Sequence, residues 1–169
     1  LRRRIPGLAD PINPTEVTLK AGLRVGPVTA IPFRGFDGLR AQARTEGYRL
    51  LDRLAAEWEG GARFGRRGEA LLGAWRGTAL AGVGGITLDP ALPGALRMRR
   101  FYIHTNCRRA GTGRTLAQAL LRQARRTGMT VVVNAGTPAA SSFWEALGFV
   151  ADAGGGGRHT HCLPPPAMP

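Results

Sequence analysis

The stretch NCRRAGTGRTLAQALLRQARRTG, Asn106 to Gly128, constrains this chain more than any other. Two glycines, Gly111 and Gly113, stand among arginines directly before an apolar-periodic run. Leu116, Leu120 and Ala124 share one face of the helix that this spacing predicts, flanked by Ala117 and Leu121, and Gly128 supplies its C-terminal stop. Upstream, LRMRRFYIHT (Leu96 to Thr105) reads as a strand with Met98, Arg100 and Tyr102 on one face. Strand, glycine loop and helix together make an anion-binding device. The first N–H groups of a helix have no intrahelical partner and converge on phosphate oxygens.

The rest of the chain reads as alternating strands and helices. Residues 1–26 are rich in Pro and Gly with little periodicity, and are read as an extension leading into one domain over 27–169. VTAIPF (Val28 to Phe33) is a short strand. From Phe36 to Trp58, Leu39, Ala43, Leu50, Leu51, Leu54 and Ala55 recur at helical steps, and Gly47 divides the run into two helices. GEALLGAWRGTALAGVGGITLD is a pair of strands joined at Arg76-Gly77. TVVVN (Thr130 to Asn134) is a buried strand, and Thr137-Pro138 caps and opens a helix that runs to Leu147 and stops at Gly148. A last pair of strands, Phe149 to Ala151 and His159 to Leu163, flanks a hairpin at Gly154 to Gly157.

A chain of 169 residues holds one domain with a real core. No apolar run approaches the length of a membrane span, and prolines and Asp10 interrupt the segment after the first arginines, so no export signal is read there. Cys107 and Cys162 form neither a disulfide framework nor a metal site. Those features fit a cytoplasmic protein without a metal. The formal charge is +13, and Lys20 is the only lysine beside 23 arginines, a bias that codon usage explains as well as selection does. Such a charge steers anions. Because the arginines spread from Arg2 to Arg158 with no basic block interleaved with aromatics, a polyanionic small molecule is the better expectation and nucleic acid the lesser one.

Two common phosphate loops fail against Gly111-x-Gly113. No Lys follows as a nucleotide P-loop requires, and the dinucleotide fingerprint lacks both its third glycine and its downstream acid. The run Arg108-Arg109-Ala110-Gly111-Thr112-Gly113 instead resembles the coenzyme A pyrophosphate loop of the GCN5-related N-acetyltransferases, the GNAT superfamily. RRFYIHTNCRRAGTGRTL resembles that family's strand and loop, AASSFWEALGF its A-x-x-F-Y-E-x-L-G-F helix, GVGGITL its preceding strand, and EGYRLLDRLAAEWEGGARF the early helices of some bacterial members. The resemblance covers about residues 27 to 164. It departs from the family at Arg109, where a glycine is common, and at Trp144, where tyrosine is frequent.

That resemblance implies an α/β (α+β) GNAT fold, a central mixed, mostly antiparallel sheet flanked by helices. It implies direct transfer of an acetyl group from acetyl-CoA to an amine in a ternary complex. The alternatives are a CoA-binding module that has lost catalysis and, in third place, a nucleic-acid-binding protein. N–H groups from Arg109 through Ala110, Gly111, Thr112 and Gly113 to Arg114 would cradle the pyrophosphate, Arg108, Arg109 and Arg114 would add charge, and Thr115 a hydroxyl. The backbone of Phe101, Tyr102 and Ile103 would pair with the pantetheine arm, with Thr137 and Asn134 as further contacts. Glu69 and Glu46 are the candidates for receiving the proton of the amine, and Trp144 stands where relatives protonate the leaving thiolate. The amine acceptor is unspecified, and a homodimer is compatible with the reading.

Overall fold

Nearly continuous burial over residues 70–88 marks central strands covered on both faces, and period-3.6 burial marks the helices that cover them. The computed structural model describes residues 17–19, 22–152 and 159–167. Its elements are β1 (Val17–Leu19), β2 (Leu23–Pro27), α1 (Phe36–Thr45), α2 (Leu50–Glu59), β3 (Ala70–Arg76), β4 (Ala79–Leu88), β5 (Ala95–Ile103), α3 (Thr112–Arg125), β6 (Thr130–Val133), α4 (Pro138–Ala146), β7 (Val150–Ala151) and β8 (His161–Leu163). The eight strands form one sheet in the order β1-β2-β3-β4-β5-β6-β8-β7. Every neighbouring pair is antiparallel except β5 and β6, so the sheet is mixed and mostly antiparallel with helices on both faces, as expected.

Two hydrophobic cores form, one per face. On one side Leu116, Leu120 and Ala124 of α3 and Trp144 of α4 pack on Leu72, Ile86, Leu96 and Met98. On the other, Phe36, Leu39 and Ala43 of α1 and Leu51 and Leu54 of α2 pack on Leu71, Val83 and Tyr102. Thr137 caps α4 by accepting a hydrogen bond from the Ala140 N–H at 3.1 Å, with Pro138 at the first helical position. Gly47, at φ 85°, separates α1 from α2 as its sequence position foretells.

Three expectations need correction. The strand expected at Val28 to Phe33 is a loop, because only Val28 continues the ladder, its N–H reaching the Leu71 carbonyl at 2.9 Å. The later apolar residues are held by packing: the Phe33 ring lies 5.4 Å from Phe36 and 6.0 Å from Trp75. The sheet starts earlier, with β1 and β2 inside the segment read as a lead-in, so a boundary at residue 27 cuts the sheet. Finally, Met98 and Tyr102 occupy opposite cores. Arg100 adopts φ 55°, and the β4–β5 register slips between Val83 and Gly85. A bulge inserts one extra residue and reverses the alternation beyond it. The hairpin expected at Gly154 to Gly157 lies outside the described residues.

Candidate active site

The parallel pair β5–β6 is short. It joins Ala95 to Thr130, Leu96 to Val131 and Arg97 to Val132, and then the strands part company. From Met98 to Ile103, β5 pairs only with β4. Its other edge carries backbone groups that β6 does not meet, and such an edge takes an extended ligand by main-chain hydrogen bonds.

The glycine loop stands at the end of that same strand. Ile103 leads through a 3-10 turn, Thr105–Cys107, into Arg108. Gly111 caps α3 in the left-handed region, φ 79°, and Arg109 shares that conformation at φ 59°. A non-glycine residue there costs on the order of 1 kcal/mol, so position 109 carries its arginine under strain. The Thr115 N–H is the first of the helix to find a carbonyl, that of Gly111 at 3.0 Å. A Cβ on Gly113 would lie 3.3 Å from Ile103 and 3.4 Å from Phe143, so this glycine lets α3 approach both β5 and α4. Arg76, at the end of β3, holds the loop from behind: its guanidinium donates to Thr112 Oγ1 at 3.1 Å and to the Ala110 carbonyl at 3.3 Å. Sequence reasoning missed Arg76, because nothing local in the sequence ties a hairpin arginine to a loop more than 30 residues later.

Side chains around the loop turn inward. Thr112, expected to contribute its N–H, is fully buried, and its hydroxyl faces Arg76. Arg108 forms a two-pronged bridge to Glu46, at 2.8 and 2.7 Å, gives its Nε–H to the Ile103 carbonyl at 3.0 Å, and lies over the Tyr102 ring. Its guanidinium is engaged within the protein, which leaves Arg109 and Arg114 as the loop cations with no ion pair among the described residues. The Tyr102 hydroxyl donates to Glu46 and sits 2.8 Å from Gln42 Oε1, and Gln42 in turn meets Thr105 Oγ1 at 2.5 Å. This polar cluster ties the C-terminal end of α1 to the loop. Hydrogen bonds from Arg108, and secondarily from Tyr102, overcome burial and hold the Glu46 carboxyl below the usual range. Burial, the neighbouring carboxylate and its charge raise the Tyr102 hydroxyl.

Glu69 is not brought to the site. It precedes β3, while Arg76 at the other end of that seven-residue strand reaches the loop. At about 3.4 Å per residue the two ends lie roughly 20 Å apart. Glu69 is buried and accepts the N–H groups of Arg66 and Leu88, both at 3.1 Å, together with the Arg66 guanidinium. Burial pushes its carboxyl up, but those donors outweigh it and the net shift is downward. It acts as a structural anchor.

Trp144 is 5% exposed and lies among Phe101, Phe143 and Phe149, with ring centroids 5.1, 4.8 and 5.4 Å away. It is a wall of the core rather than a proton donor. Phe101 faces the same cluster while Tyr102 faces α1, and Ile103 is nearly buried. Asn134 Oδ1 accepts the Thr160 N–H at 3.2 Å and so links the end of β6 to the approach of β8. Among the described residues no group of three or more metal-ligating side chains gathers, and no helix is long and apolar enough to cross a membrane.

Comparison with known proteins agrees with this geometry. A family model described as an acetyltransferase (GNAT) domain matches residues 44–160. The chain is similar to a structure from Exiguobacterium sp. 255-15 provisionally assigned as an acetyltransferase, at 22% identity and TM-score 0.76, over 84% of this chain and 93% of that one. A GNAT family acetyltransferase from Brucella melitensis in complex with acetyl-CoA matches at 17% identity and TM-score 0.60, covering 88% and 92%. The ribosomal-protein-S18-alanine N-acetyltransferase of Escherichia coli matches at 14% identity and TM-score 0.58, covering 83% and 88%. These likenesses are of fold. No curated protein matches the chain in sequence.

Proposed function

Since the chain belongs to the GNAT acetyltransferase family, we propose that it moves an acetyl group from acetyl-CoA to an amine by direct attack within a ternary complex. The observation that carries this reading is the free edge of β5 from Met98 to Ile103 opening onto the capped loop of α3. When bound, acetyl-CoA supplies a thioester carbonyl and a thiolate leaving group. N–H groups from Arg109 through Ala110, Gly111, Thr112 and Gly113 to Arg114 hold the diphosphate, and the guanidinium groups of Arg109 and Arg114 add charge. Thr115 stands one residue further along the same turn. Backbone groups of Phe101, Tyr102 and Ile103 hold the pantetheine arm, and one N–H there polarises the carbonyl. Thr137 keeps its hydroxyl hydrogen to donate to the arm while accepting from Ala140.

An alkyl ammonium with a pKa of about 10.4 must lose its proton before it attacks. Glu46 is the carboxylate beside the loop, and its lowered pKa makes it a weak proton acceptor. It receives the proton of the ammonium, directly or through a bridging water, at the cost of a weak driving force. Trp144 does not ionise near neutral pH, so the thiolate leaves without a general acid. Such help is typically worth about 10²–10⁴-fold, which favours slow turnover and makes an inactive CoA-binding module the second reading.

Two measurements test the proposal. Free thiol should be released from acetyl-CoA with at least one member of an amine panel, against none without amine. Calorimetry should show acetyl-CoA binding that Gly111→Val weakens strongly, since a β-branched residue is strained at φ 79° and displaces the backbone that faces the diphosphate. Undiminished affinity in a folded Gly111→Val protein removes the loop from the site. Binding without thiol release selects the second reading.

A further inference from the structure

Residues 90–144 contain nine arginines and neither Asp nor Glu. The fold then divides these arginines unequally. Arg99 and Arg100 meet Glu57 of α2, and Arg108 meets Glu46 at the end of α1. Arg40, Arg44 and Arg49 share Asp52. Three of the carboxylates are thus engaged on the α1–α2 side of the sheet, while on the α3–α4 side Glu145 faces His161. On the opposite side, Arg109, Arg114, Arg122, Arg125 and Arg126 are exposed and make no ion pair among the described residues.

These side chains are gathered along one helix. Arg114, Gln118, Arg122 and Arg125 line a groove of about 340 Å³ between α3 and the end of α4, with Leu121 and Leu147 as its floor. A second hollow of about 310 Å³ on the other flank of α3 is lined by Arg122 and Arg126, with Arg63 and the buried Glu69 also in its wall. Arg122 stands on the crest between the two. From Arg114 to Arg125 the helix rises about 16 Å, at 1.5 Å per residue. A coenzyme diphosphate at the first turn accounts for Arg109 and Arg114. The helix dipole accounts for cations in the last turn, Arg122 and Arg125, but opposes Arg114 in the first. Neither explanation alone covers the whole row.

We infer that the outer face of α3 is a docking surface for the phosphate backbone of a nucleic acid, sharing Arg114 with the coenzyme loop and extending beyond it to Arg122, Arg125 and Arg126. A strand of nucleic acid carries one phosphate per about 3.4 Å of rise, so 16 Å of helix faces roughly five phosphates. No aromatic side chain lines the α3–α4 groove, so the surface reads charge and not bases. This gathers in space what the sequence spreads along its length, and it raises nucleic acid from the lesser expectation to a partner.

The probe is a fluorescein-labelled 20-nucleotide single-stranded RNA, followed by anisotropy over a salt series. Wild-type protein should bind with log Kd rising about 0.7 per phosphate neutralised for each tenfold increase in salt, giving a slope near 3 for four arginines. Arg122→Ala/Arg125→Ala should lose about tenfold in affinity at low salt and lower that slope by about 1.4, while acetyl-CoA affinity stays unchanged. Circular dichroism of the double variant checks that α3 remains folded. Unchanged RNA affinity and slope in the folded variant overturn the inference, and assign the two arginines to the helix dipole. Binding of a poly-glutamate peptide as tightly as the RNA also overturns it, in favour of an acidic protein partner. Loss of RNA binding with acetyl-CoA binding intact supports it whatever the fate of the transferase reading, because the two sites are read by different ligands.

Discussion

An indole at position 144 buries more carbon than the phenol for which it substitutes, and its surroundings use all of it. Phe101, Phe143 and Phe149 meet its ring within 5.4 Å, all in the edge-on contacts that aromatic pairs favour. Trp144→Ala should therefore cost about 3–5 kcal/mol of stability by chemical denaturation, the range for a large aromatic removed from a core. A loss below about 1 kcal/mol would mean that the ring is not packed as described. The sequence marks position 144 as unlike its relatives, yet an isolated letter does not say which neighbours it meets. Gly111 is the opposite case. Its place before an apolar-periodic run predicts a helix cap, and the backbone there is left-handed as glycine permits. Arg108 was misjudged because its partner, Glu46, lies 62 residues away and no local pattern joins them.

Elements are held to one another here by acids that are few and heavily shared. Asp52 of α2 accepts Arg40 and Arg44 of α1 at 2.6 and 2.5 Å, with Arg49 at 3.3 Å. Hydrogen bonds from Arg44 and then Arg40 hold its carboxyl well below the usual range. Glu46, Glu57 and Glu69 are lowered as well. A carboxylate whose pKa is depressed by folding binds protons more readily in the unfolded chain. Its stabilisation is complete above the ordinary carboxylate range and is lost as pH falls through the folded value. The melting temperature should accordingly hold level from neutral pH to about 5 and fall below about 4. Asp52→Asn should make that fall shallower, and an unchanged acid limb in the variant would remove the α1–α2 bridge from the account. The break between these helices was legible, since Gly47 interrupts a clear periodicity. β2 was not, because Gly22, Gly26 and Pro27 gave its segment the look of a loop while Leu23 and Val25 were entering the core.

Across the whole molecule the formal charge of +13 is distributed by the fold, with Asp52, Glu46 and Glu57 engaged by arginines on the α1–α2 side and exposed arginines along α3 on the other. Such a field speeds the encounter with an anionic coenzyme more than it tightens the final complex. By stopped flow, acetyl-CoA association should slow by about tenfold between low and high salt while dissociation changes little. If dissociation carries the salt effect, the charges act only at contact distance. The helices and most strands after residue 69 were legible from periodicity, and the loop from its spacing, whereas the order of the strands was not. Which face each strand residue chose was not, and the reason is Arg100. Every residue of β5 after the bulge is assigned to a core by whether an odd or even number of residues precedes it. Deleting Arg100 alone would restore even counting and exchange the destinations of Phe101, Tyr102 and Ile103, sending a phenol toward α3 and two apolar side chains toward Gln42 and Glu46. The strand thus tolerates substitution far better than a change of length, and a one-residue deletion there should be read as a loss of fold before any loss of chemistry.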